Sequence, residues 1–440
     1  MIRRVIGGVI LFISVWAQLG YAQEQGVYEK LKQIPGVEVQ VVNGSKLFKE
    51  YFILNIEQPI DFKKPKGAKF KQRVFLGFRD ANAPTVIETE GYAGDRAENP
   101  NFQNEPAKLL NGNMVFVEHR YFSKSTPANP DWTTLTVEQA VNDYHRIREL
   151  LRPVFTGKWI ATGISKGGQM STAYRVFYPN DVNATIAYVA PINLELIDPR
   201  IEKHFSTVGT QETRDKLRAF QQVLLDRKKE LLPYFEKLWA EKKIELKPFD
   251  AETVFDYEVL EYPFSFWQWG HKVDDIPDAG DAPEKVAGYL EGLVGGSYFT
   301  NAEIEKTGPA YYMFFHEFGY YDYKTDSFKG KLKQSSYPLN VFVPKNTQPS
   351  FDLGYINKLK KFIAKGGEDR MLFVYGELDP WGATQINLNG KKDNLKMVVE
   401  NGSHAVRIKH LSNDQKELVY AALKKWVGVD IPVETVLQGK

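Results

Sequence analysis

The chain of 440 residues contains no cysteine. It therefore has neither a disulfide framework nor the lipidated cysteine of a lipoprotein. A formal net charge of +2 gives no reason to expect nucleic acid as a partner. No internal repeat or low-complexity tract interrupts it. A membrane-length apolar run is also missing: the stretch Val5 to Ala17 is too short to span a bilayer comfortably. With Arg3 and Arg4 before that stretch and the small-residue site Gly20-Tyr21-Ala22 after it, residues 1–22 are expected to be a signal peptide cleaved after Ala22. The expected product is a periplasmic or secreted protein with no membrane span. What the sequence does have is ring-bearing side chains, 28 Phe, 23 Tyr and 8 Trp, enough to line an apolar pocket as well as a core. Its 43% hydrophobic content suffices for one large core and an accessory domain.

The most informative segment is Gly163-Ile164-Ser165-Lys166-Gly167, which follows a strand-like run from Lys158 to Ala161 and precedes a helix-like one. A Gly-x-Ser-x-Gly turn between strand and helix suits a nucleophile elbow, because only small flanking residues fit around the strained serine. A serine needs a base within reach and an acid to fix the base's tautomer. Downstream, the strand-like run Arg370 to Tyr375 empties into a loop carrying Asp379, with Glu377 as its competitor for the acid. The run Leu395 to Val399 is followed by Asn401-Gly402-Ser403-His404. Ser165, Asp379 and His404 thus occur in the order of an α/β-hydrolase, each just past a predicted strand. His119 precedes the serine and fits that order badly, and His410 lies among solvent-facing residues. For the oxyanion, Lys166 offers the amide after the nucleophile. Glu90-Gly91-Tyr92-Ala93-Gly94, after the predicted strand Thr85 to Thr89, offers Tyr92 as second donor with Gly91 close behind.

Other strand signals fall at Val37 to Val42, Tyr51 to Ile56, Gln72 to Phe78, Asn113 to Val117 and Thr185 to Val189, with a helix from Thr136 to Leu151. After Pro191 the character changes. Arg214 to Glu241 is highly charged with one apolar stripe, which predicts long amphipathic helices interrupted near Pro233. The fold class expected is α/β: an α/β-hydrolase core formed by residues 23–192 and 345–440, with a mainly helical cap inserted at 193–344. Within that cap, Tyr262-Pro263-Phe264-Ser265-Phe266-Trp267-Gln268-Trp269 is dense in rings, so Phe264 and Trp267 are candidate walls for a bound substrate, joined by Trp381 beside the acid.

The ordered set EHRYF (Glu118 to Phe122), TGISKGG (Thr162 to Gly168), EFGYYDY (Glu317 to Tyr323), YGELDPW (Tyr375 to Trp381) and NGSH (Asn401 to His404) resembles the secreted prolyl tri/tetrapeptidyl aminopeptidases of bacteria. More distantly it is similar to prolylcarboxypeptidase and dipeptidyl peptidase II. The resemblance implies a Ser165-Asp379-His404 triad, no cofactor or metal, and a peptide substrate cut after proline near its free N-terminus. Such an exopeptidase must capture an ammonium group, for which Glu261 and Glu317 are the candidate carboxylates. An esterase or other acyl hydrolase, and a catalytically silent binding protein, use the same scaffold and stay open on these residues alone.

Overall fold

The computed structural model describes residues 26–365, 369–390 and 392–431. The expected signal peptide lies outside them. Nine strands form one sheet: β1 (Val37–Val41), β2 (Glu50–Pro59), β3 (Lys69–Phe78), β4 (Thr85–Thr89), β5 (Asn113–Val117), β6 (Trp159–Ile164), β7 (Ala184–Tyr188), β8 (Met371–Gly376) and β9 (Leu395–Val399). Their spatial order is β1-β2-β3-β5-β4-β6-β7-β8-β9. The first three strands and β5 pair antiparallel, while β5-β4-β6-β7-β8-β9 pair parallel. This is the α/β-hydrolase arrangement. Its parallel part is buried on both faces, so β4, β5 and β7 read as unbroken buried runs instead of alternating ones.

Two apolar clusters account for those faces. One joins the Val137–Leu151 and Lys166–Phe177 helices to the sheet and continues into the cap; the other packs the C-terminal helix Asn413–Val427 on the opposite face. Swapping β4 into the middle of the sheet places β6, which delivers Ser165, centrally. The carboxyl ends of β4, β6, β8 and β9 then converge along one edge, where loops can build a site.

Between β7 and β8 runs a helical insertion, from Pro199–Thr207 to Asn301–Met313 and the π-turn Phe314–Phe318, before Gly354–Ala364 returns to pack on the Lys166–Phe177 helix. The expected interruption near Pro233 is not where the chain breaks. Helices Gln211–Asp226 and Lys228–Glu241 meet at Arg227, whose ψ of 8° leaves the helical range, and Pro233 sits inside the second. Leu231, Phe235 and Trp239 are buried on either side of the proline, so packing of that stripe outweighs the one lost helix hydrogen bond. Among the described residues no helix is long and apolar enough to cross a membrane.

Candidate active site

Ser165 stands between β6 and the Lys166–Phe177 helix at φ 55° and ψ −122°. A non-glycine residue holds such a backbone only when its surroundings impose it. They do so by close approach. A Cβ on Gly163 would lie 2.1 Å from the Gly167 carbonyl oxygen, and one on Gly167 would lie 2.5 Å from the Thr89 carbonyl oxygen. The Ser165 amide donates to the Tyr188 carbonyl at 2.9 Å, tying the elbow to the end of β7. Its hydroxyl has no hydrogen-bond partner among the described residues and opens onto a cavity of about 480 Å³.

Asp379 and His404 are brought together by continued pairing of β8 and β9 into their loops. Glu377 and Leu378 donate their amides to the Val399 and Gly402 carbonyls, and Gly376 leaves no room for a side chain against Gly402 and Ser403. The outcome is a contact of 2.7 Å between His404 Nδ1 and Asp379 Oδ2, both side chains buried. Asp379 Oδ1 accepts from the Trp381 amide, which fixes the carboxylate. Because a carboxylate only accepts, Nδ1 is the donor in this contact, and Nε2 is left outside it. Glu377, the competitor for the acid, is exposed and accepts from the Asn401 amide instead. His119 is buried, its ring held by the Arg120 carbonyl at 2.7 Å, and burial beside Lys166 pushes its pKa well down.

The expected oxyanion donors fare unequally. The Lys166 amide, at the first position of its helix, has no acceptor among the described residues. The Tyr92 amide is already committed. Lys166 Nζ donates to the Gly91 carbonyl at 2.8 Å, and in a trans peptide the Tyr92 N–H points the opposite way, where Glu90 Oε1 accepts it at 3.2 Å and the Gly91 amide at 3.0 Å. Sequence pattern identifies the loop but cannot show which way one peptide plane faces. Burial pushes Lys166 down to about 7, and the faces of Tyr92 and Phe122 lie 5.7 and 5.4 Å from its ammonium.

Three of the expected substrate residues stand away from the serine cavity. Phe264 and Trp267 do not line the serine cavity. Phe264 stacks on Tyr321 at 4.1 Å, Trp267 presses on Gly209, and both rings wall a separate cavity of about 380 Å³ on the far side of the Ala251–Trp269 helix. Glu317 also lies off the cavity wall. Its Oε2 accepts from the Val137 amide at 2.6 Å, serving the start of the Val137–Leu151 helix, and burial pushes its pKa up to about 7.

Trp381 and Glu261 do line the serine cavity, as expected. The same helix contributes Ser265, Gln268 and Trp269, which lie in the ring-dense run without being singled out by the sequence pattern. Positions 261, 265 and 268 repeat at the four- and three-residue spacing of one helical face, and 264 and 267 fall on another. Glu261 Oε2 accepts from the hydroxyls of Tyr321 and Tyr323 at 2.7 and 2.6 Å, and Ser265 donates to Oε1 at 3.2 Å. No Lys, Arg or His pairs with it among the described residues, and burial raises its pKa. Among the described residues no group of carboxylates and histidines could hold a metal ion.

The sequence itself has relatives among known peptidases. Over 425 residues the chain is 31% identical to a prolyl tri/tetrapeptidyl aminopeptidase of Streptomyces mobaraensis, covering 93% of this chain and 86% of that one. It is 23% identical to the lysosomal Pro-X carboxypeptidase of Bos taurus over 81% of this chain and 82% of that protein. With the Mus musculus enzyme of the same name it shares 28% identity over 49% and 51% of the two chains. The family described as PS-10 peptidase S37 matches residues 23–436. Agreement on that scale takes in every strand of the sheet and the whole helical insertion, and so the chain belongs to the peptidase S37 family and is a serine peptidase.

Proposed function

We propose that this peptidase acts from the free N-terminus of its substrates, releasing short peptides by cleavage after proline through an acyl-enzyme on Ser165. In that reading His404 Nε2 takes the Ser165 proton as Oγ attacks the carbonyl carbon of the prolyl residue, and Asp379 stabilises the imidazolium that forms. The Lys166 amide meets the developing oxyanion, and the Tyr92 amide joins it only by leaving Glu90. The imidazolium then protonates the departing amine, and water repeats the sequence to free the acyl group. Trp381 and Tyr320, 5.5 Å apart on the cavity wall, offer flat apolar faces for the proline ring.

The observation that carries the reading is Glu261, a carboxylate lining the serine cavity with hydroxyl partners and no cation. A peptide ammonium is the partner it lacks. Position 261 lies eight residues before Trp269, which abuts His404, so the helix sets the two ends of the site about 12 Å apart at 1.5 Å per residue. An extended peptide advances about 3.3–3.6 Å per residue, so three to four residues bridge that span. The name of the Streptomyces relative supports the same lengths. Export of the protein also belongs to this reading, supported by a family match that begins at residue 23, the first after the expected cleavage site.

The test compares a proline-containing peptide amide with and without an N-terminal acetyl group, on wild type, Glu261→Gln and Glu317→Gln. Acetylation strands a desolvated carboxylate, a penalty on the order of 2–5 kcal/mol, so wild-type kcat/KM should fall by more than about tenfold. The preference should collapse in Glu261→Gln and persist in Glu317→Gln. Equal cleavage of both peptides by wild type contradicts the aminopeptidase reading and favours an endopeptidase or esterase.

A further inference from the structure

Trp269 is 50% exposed while lining the serine cavity. It is also the last residue of the Ala251–Trp269 helix, so its position is fixed by how that helix ends. Gly270 closes the helix in the left-handed conformation, φ 71°, and a Cβ there would lie 3.1 Å from the Ser403 Cβ. The His404 amide donates to the Gln268 carbonyl at 2.9 Å. The indole therefore stands edge-on to the His404 ring, centroids 6.0 Å apart and planes at 88°. Glu261 lies two turns back along the same helix, at the other end of the cavity.

We infer that Trp269 forms the binding platform for the first residue of the leaving peptide, and that it makes the enzyme prefer an apolar or aromatic side chain immediately after the scissile proline. The inference rests on the proposed function and deepens it. Its logic follows from proton delivery: His404 must protonate the departing nitrogen, so the residue attached to that nitrogen lies on the imidazole side of the scissile bond. Trp269 is the ring found there. The acyl side of the substrate lies in the opposite direction, toward Trp381 and Glu261. An exposed indole face gains most from a side chain that covers it, which gives it a reason to sit in solvent in the free enzyme.

The leaving side of the site is also where an incoming amine must bind when it intercepts the acyl-enzyme. The amine nitrogen bonds to the acyl carbon, the bond from that carbon to Ser165 Oγ breaks, and the amine's proton passes through His404 to Oγ, leaving free serine and a new amide. This gives a readout that misalignment of His404 does not move, because such damage slows all acceptors alike. Two measurements are made on wild type, Trp269→Ala and Trp269→Phe. The first is kcat/KM for free-N-terminus peptides differing only in Phe or Gly after the proline. The second is partitioning of the acyl-enzyme between water and added phenylalaninamide or glycinamide. Wild type should favour Phe over Gly by roughly fivefold or more in both. Trp269→Ala should bring both ratios near one, and Trp269→Phe should retain part of each. Cleavage by wild type without a Phe preference, or ratios unchanged in Trp269→Ala, overturns the inference and leaves the proposed function standing. Failure to cut any of these peptides overturns both.

Discussion

Ser165 combines chemical necessity with backbone strain, and the two can be separated. Its φ of 55° is costly for any residue with a Cβ and nearly free for glycine. Ser165→Ala and Ser165→Gly should both abolish turnover. The glycine variant should nevertheless unfold at higher denaturant than the alanine variant, by about 1 kcal/mol; equal midpoints would mean that the elbow is relaxed. Glu317 gives a residue-scale prediction in pH. Its folded pKa is pushed up to about 7 by burial, against about 4.3 in an unfolded chain, so the native state holds the proton more tightly. The stability it contributes is present below the unfolded value and lost as pH rises through the folded one. Wild type should therefore lose on the order of 3 kcal/mol more than Glu317→Gln between pH 4 and pH 8, read by urea denaturation at each pH. Parallel pH profiles would show that Glu317 ionises normally.

At the scale of elements, the sequence was most legible where a local pattern decides the outcome. The strands β4, β5 and β9 and the Val137–Leu151 helix lie at or within a residue of where pattern puts them, because a buried run bounded by turns admits few alternatives. The His404 loop follows directly from the end of β9, as the elbow follows from β6 and the Asp379 loop from β8. The Ala251–Trp269 helix is different. It is buried nearly all round, so its apolar residues carry no phase, and only the fold separates the cavity face of Glu261 and Trp269 from the far face of Phe264 and Trp267. Glu317 stands apart from the serine cavity for a related reason, since a motif marks a residue without saying which neighbour its carboxylate meets. The elbow itself allows a sharp contrast between two glycines. Gly163→Ala would place a methyl 2.1 Å from a carbonyl oxygen, whereas Gly288, exposed in the Pro283–Leu293 helix, has nothing within 4 Å. The first substitution should prevent accumulation of folded enzyme. Gly288→Ala should raise stability by about 0.5–1 kcal/mol with unchanged turnover, as thermal unfolding and peptide assays can show.

For the whole molecule, one helix of the insertion links the two halves of the work. Its middle bears Glu261, the carboxylate proposed to hold the substrate's ammonium, and its end is pinned to the histidine loop of the core. If Glu261 holds the substrate's amine, substrate length is set by the distance between cap and core features, which no single motif encodes: a shorter peptide would not reach Glu261 and a longer one would have to bend away from it. The most direct measurement of the central claim is mass-spectrometric product analysis on a peptide series with a free N-terminus and a single proline moved from the second to the sixth position. Cleavage after proline should peak when it is third or fourth, with rates falling by more than about tenfold at positions two and six. Cleavage at equal rates wherever the proline stands would contradict a site measured from the substrate's amine.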